Sequence, residues 1–108
     1  MVVLDMDGVL VDIESSWLYI HKKFNVNSKD NLQKYLRGMI SYKEFMRRDI
    51  KLWGLCHIDE IRDILKDIPL IKGVKETIHE LKRRGYKIVI ISAGISLLAE
   101  RLNSDFHF

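Results

Sequence analysis

The sequence is poor in the residues that staple, punctuate or anchor a chain. It holds one cysteine, Cys56, in 108 residues. That excludes an internal disulfide and leaves a thiolate metal site without partners; a reducing, cytoplasmic setting is the expectation. There is one proline, Pro69, and no low-complexity stretch or internal repeat, so the stretch Pro69 to Gly73 is the only punctuation that reads as a crossing between parts. No apolar run approaches the roughly 18 residues of a membrane span, and no membrane partner is expected. The apolar opening is interrupted at once by Asp5 and Asp7, which is not the pattern of a secretory signal. Neither sign of charge dominates, with 18 Lys and Arg against 15 Asp and Glu. The basic clusters Lys22-Lys23, Arg47-Arg48 and Lys82-Arg83-Arg84 are short and interleaved with acids. They read as solvated helix faces, and no nucleic-acid partner is expected.

What is present is a sequence of strand and helix signals. Val2-Val3-Leu4 and Ile88-Val89-Ile90-Ile91 are short, continuously apolar runs rich in β-branched residues. Continuous apolarity suits strands covered on both faces, as in a parallel sheet. Between them lie helical stripes: Ile13, Trp17, Ile20 and Phe24; Leu32, Tyr35 and Leu36; Tyr42, Phe45, Met46, Ile50 and Trp53; Ile58, Ile61, Leu65 and Ile68. Ser41 and Glu44 have the spacing of a capping box. A helix from Val74 to Arg84, closed by Gly85, is a natural crossover to the second strand. A last helix carries Ile95, Leu98 and Leu102, and the segment Asp105 to Phe108 reads as the start of another strand. The expectation is an α/β fold with a partial, Rossmann-like parallel sheet. Residues 1–12 and 69–108 would form an incomplete core, and residues 13–68 an inserted helical cap with its own packing of Trp17, Phe24, Phe45, Met46 and Trp53.

Ligands of parallel sheets bind beyond the carboxyl ends of the strands. Here Asp5 and Asp7 follow the first strand, and Ser92, Ala93 and Gly94 follow the second. Residues i and i+2 of an extended chain share a side, about 6.5 Å apart, so both carboxylates are expected to face one site. The Ser92 hydroxyl and the amides of Ala93 and Gly94, opening a helix, suit a phosphate. Carboxylates and a phosphate dianion repel one another, so a hard cation such as Mg²⁺ is expected between them. One aspartate can attack phosphorus while the other handles the proton of the leaving group and of water.

Asp5-Met6-Asp7-Gly8-Val9 after an apolar strand resembles the first signature of the haloacid dehalogenase superfamily, and Ile91-Ser92 resembles its second. Pro69 through Val74, the helix behind it, Gly85 and the second strand are similar to the phosphoserine-phosphatase-like branch, which places a cap where residues 13–68 lie. The resemblance implies Asp5 as nucleophile, Asp7 as acid and base, and Ser92 as phosphate ligand, with Mg²⁺ held by the Asp5 side chain and the Asp7 main-chain carbonyl. It also implies a small phosphorylated substrate, phosphoserine-like compounds included, contacted by Glu14 in the cap, with Arg47 and Arg48 as nearby candidates. The branch's substrate-carboxylate arginine aligns with Asp49. The family's third and fourth signatures, a lysine and then a strand-end acidic pair, have no counterpart: no lysine follows Lys87, and Glu100 and Asp105 are lone acids. A fragment of a longer protein, or a chain whose missing residues something else supplies, is therefore expected, self-associating through an open sheet edge. Two alternatives stand beside the hydrolase: a phosphotransferase or sugar-phosphate mutase of the same superfamily, and a non-catalytic association module.

Overall fold

The computed structural model describes residues 1–108. Strand β1 (Val2–Leu4) is followed by four helices, α1 (Ser16–Lys23), α2 (Lys29–Leu36), α3 (Tyr42–Leu52) and α4 (Ile58–Lys66). Then come α5 (Val74–Arg83), β2 (Ile88–Ile90) and α6 (Ser96–Phe106). β1 and β2 pair in parallel, Val2 opposite Ile88 and Leu4 opposite Ile90. Ile91 N–H donates to Leu4 O at 3.0 Å, so the two strands end level and release their following loops from the same edge. That edge is where the candidate chemistry was expected.

Beyond β1 the chain makes a tight turn in which Met6 O accepts from the amides of Val9, Leu10 and Val11 at 2.9–3.2 Å. Gly8 sits at φ 76° inside it, a left-handed conformation that a side chain would strain. Val11 then bridges antiparallel to Leu70. Asp12 N–H donates to Pro69 O at 2.8 Å and Ile71 N–H to Leu10 O at 3.0 Å. The helical segment thus leaves and returns at adjacent points.

Thirteen buried apolar residues form one core, and it crosses that junction. Ile20, Ile61, Leu65 and Ile68 pack in the same cluster as Met6, Val11, Val74, Ile78, Leu98 and Leu102. The aromatics expected to core the cap are instead half-buried. Trp53 lies between Trp17 and Phe24 (ring centroids 5.7 and 6.2 Å), and Tyr35, Tyr42 and Phe45 make a second group, with Tyr35 stacked on Phe45 at 5.2 Å. α1 and α4 turn their β-branched and leucine faces to the shared core, which leaves the aromatics on the flank.

Two local expectations change. The tail is helical to Phe106, because Phe106 continues the Leu98–Leu102 spacing, and His107 closes the helix in a left-handed conformation (φ 53°). Ser41 does cap α3, its hydroxyl accepting from Glu44 N–H at 3.1 Å. Glu44 does not complete the box, since Arg47 and Arg48 hold its carboxylate. The reciprocal box is at α4, between His57 and Glu60.

Candidate active site

Asp5 is the first residue past β1 and is exposed. Its Oδ1 accepts from Met6 N–H at 2.6 Å, so the neighbouring peptide orients the carboxylate while leaving it open to solvent. Asp7 is half-buried. Its Oδ2 accepts twice from Ser16, from the backbone N–H at 2.8 Å and from the hydroxyl at 3.0 Å. That amide and hydroxyl stand at the first turn of α1, where the helix dipole favours a negative charge. Asp7 Oδ1 is buried with no partner. The two carboxylates therefore differ in setting: one free to react, the other fixed and holding an unused acceptor.

The loop after β2 meets Asp7 through Gly94. A β-carbon at Gly94 would lie 2.6 Å from Met6 Cε and 3.0 Å from both Asp7 Oδ2 and Ser16 Oγ. A side chain there would make the Met6 side chain shift and press on the Asp7–Ser16 contact. The phosphate-loop expectation changes in detail. α6 opens at Ser96 with Ile95 as its cap, two residues later than supposed. Gly94 N–H is taken by Ser92 Oγ at 2.9 Å and Ile95 N–H by Ser16 Oγ at 2.9 Å. The Ser92 hydroxyl thus closes a turn instead of capping the helix. Ser92 and Ala93 remain exposed, and Ala93 O accepts from Trp17 Nε1 at 3.2 Å.

Ser16 was not singled out from the sequence, yet it is fully buried and joins Asp7 to the second loop. Its only signal was a Ser15-Ser16 pair ahead of a helix, which reads as a cap. Ser15 fills that role, its hydroxyl accepting from Leu18 N–H at 3.3 Å.

The remaining expected residues are dispersed. Glu14 is exposed, just ahead of the Ser15 cap. Arg47 and Arg48 both pair with Glu44, at 2.7 and 2.9 Å, and these hydrogen bonds, Arg47 first, draw the Glu44 carboxyl down to about 2. Asp49, the next residue, turns inward and is buried. Its Oδ2 faces His21 Nε2 at 3.2 Å and its Oδ1 accepts from Asn31 Nδ2 at 3.1 Å.

As a cation site, the Asp5 carboxylate, exposed at the strand end, and the Asp7 main-chain carbonyl would supply hard oxygen donors, which fits the chemistry of Mg²⁺. No group of three or more His, Cys, Asp or Glu gathers anywhere in the chain. The donors present amount to part of a coordination shell.

A family model for haloacid dehalogenase-like hydrolases matches residues 1–107. Over 113 residues the chain is 30% identical to the phosphoserine phosphatase of Wolinella succinogenes, covering 100% of this chain and 55% of that protein. Over 107 residues it is 29% identical to the phosphoserine phosphatase of Archaeoglobus fulgidus, covering 97% of this chain and 31% of that one. The chain thus spans from about a third to about half the length of these curated relatives. Among solved structures, a substrate-bound phosphoserine phosphatase complex superposes with a TM-score of 0.75 at 22% identity, over 99% of this chain and 51% of that one. A hydrolase of the same family from Salmonella enterica superposes with a TM-score of 0.80 at 17% identity, over 99% and 37%. These superpositions establish the α/β fold, and the sequence match over nearly the whole chain gives the family: this protein belongs to the haloacid dehalogenase-like hydrolases.

Proposed function

We propose that the protein hydrolyses a small phosphomonoester through an aspartyl-phosphate on Asp5. The observation that carries this reading is the division of labour between the two carboxylates, Asp5 exposed at the strand end and Asp7 anchored by Ser16. Asp5 attacks phosphorus, and the ester oxygen departs with a proton from Asp7. Asp7 then takes a proton from the water that opens the aspartyl-phosphate, restoring the Asp5 carboxylate and the protonated Asp7. Ser92 and the Ala93 peptide, exposed at the end of β2, receive the phosphoryl oxygens. Mg²⁺, held by the Asp5 side chain and the Asp7 carbonyl, would offset the repulsion between carboxylate and phosphate. Residues 13–68 serve as a helical cap over the core of residues 1–12 and 69–108, excluding water from the transfer, with Glu14 as a substrate contact near the junction.

The relatives' names point to phosphoserine, and a small phosphorylated metabolite of that size is the substrate class proposed. Replacing Asp5 by Asn keeps the shape and removes the nucleophile. In the intact protein Asp5→Asn should abolish p-nitrophenyl phosphate hydrolysis and the acid-stable label left by a radioactive phosphomonoester, with an unchanged circular dichroism spectrum. Near-normal turnover by the verified variant would sink the assignment.

A further inference from the structure

Beside the candidate site, the helical segment encloses a cavity of about 230 Å³ whose walls include Trp17, Leu32, Tyr42, Phe45, Met46 and Asp49. It is smaller than the roughly 300 Å³ at which drug-sized pockets begin, so it suits a small head group. Its link to the phosphate end of the site runs through the start of α1. Ser15 and Trp17 in its wall flank Ser16, which holds Asp7, and the Trp17 indole N–H is on Ala93 O.

The charge in that wall has one sign. Trp53 Nε1, a donor only, gives its hydrogen to His21 Nδ1 at 2.8 Å. The imidazole proton therefore sits on Nε2, facing Asp49, and the ring is neutral. The Asp49 carboxylate makes one bond at each oxygen and retains acceptor capacity. No cation answers it from the wall, since Arg47 and Arg48 are committed to Glu44. A buried carboxylate beside three aromatic side chains attracts a cation and repels a second carboxylate.

We propose that this cavity takes the positively charged nitrogen of a phosphorylated amino alcohol or quaternary-ammonium alcohol that carries no carboxylate, with Asp49 as the residue that sets this preference. The inference rests on the hydrolase reading for the phosphate end of the ligand only. Phosphoserine, with its carboxylate, is disfavoured by the same charge.

Isothermal calorimetry on the intact protein in an Asp5→Asn background, which removes turnover, compares phosphorylethanolamine, phosphorylcholine and O-phosphoserine. The first and last differ by one carboxylate. Phosphorylethanolamine or phosphorylcholine should bind at least about tenfold more tightly than O-phosphoserine, as expected when one like-charge contact is removed. The tighter of the two cations identifies a primary or a quaternary nitrogen. Adding Asp49→Asn should bring the affinities within about threefold. Met46→Lys, a wall position outside the His21–Asp49–Asn31 network, should do the same if Asp49→Asn unfolds in a melting scan. Equal or tighter binding of O-phosphoserine, no binding of either cation, or discrimination that survives in the folded variants overturns the proposal. Wild-type inactivity on p-nitrophenyl phosphate would instead remove the hydrolase reading and leave the binding comparison standing.

Discussion

Ser16 Oγ stands between two loops that are far apart in the sequence, donating to Asp7 Oδ2 and accepting from Ile95 N–H. Ser16→Ala leaves that buried amide without a partner and Asp7 with one donor instead of two, a loss of about 1–3 kcal/mol. Urea denaturation should show it, and kcat in the intact protein should fall more than KM rises, because Ser16 positions Asp7 without touching substrate. Wild-type stability together with wild-type kcat would refute the role. Glu44 makes a second residue-scale prediction. Its carboxyl, held near 2 by Arg47 and Arg48, is below its ordinary range, so the ion pairs are fully present above about pH 4.5 and are lost as pH falls through about 2. An NMR titration of the Glu44 side chain should give that low midpoint, and the Arg47→Gln, Arg48→Gln double variant should return it to the usual carboxylate range. Asp5 and Ser92 could be singled out in the sequence because each follows an apolar run directly, and Asp7 because it stands two residues beyond Asp5. Ser16 could not, because one hydroxyl ahead of a helix looks the same whether it caps that helix or bonds a loop elsewhere.

At the scale of elements, periodicity located all six helices and both strands, since each helix has an apolar stripe of its own. The ends were harder. His57 caps α4, although histidine is outside the usual capping set. The last helix absorbed a segment that looked extended, because Phe106 packs on the core cluster with Phe108 nearby. One inter-element contact had no sequence signal at all. Arg101 on α6 donates from Nη1 to Leu65 O and Ile68 O, at 2.7 and 2.8 Å, supplying hydrogens to the carbonyls where α4 ends. A cation at that end also interacts favourably with the helix dipole. Arg101→Ala should cost about 1–3 kcal/mol, seen as a lower urea midpoint with an unchanged slope. Arg101→Ala with wild-type stability would mean that water replaces the guanidinium without loss.

For the whole molecule, the sheet has two strands and therefore two open edges. Val3 and Ile91 are 49% and 66% exposed, and the radius of gyration, 15.6 Å, exceeds the roughly 13 Å of a compact domain this size. Unpaired edges with apolar side chains recruit further strands. We predict that the 108-residue chain self-associates at micromolar concentration, giving a light-scattering mass above 12.7 kDa; a monodisperse monomer with a sharp melt would contradict this.

The register that places Val2 against Ile88 has a kinetic consequence. Every helix but the last lies inside the loop that this pairing closes. Local helices form early, whereas the strands gain nothing until residues 5–87 have been threaded between them. Refolding should therefore be limited by that closure. A mutation that weakens β1 against β2 should slow folding or hasten unfolding according to whether the pair is already made at the barrier, and a ribosome must release nearly all of this sequence before its first strand finds its neighbour.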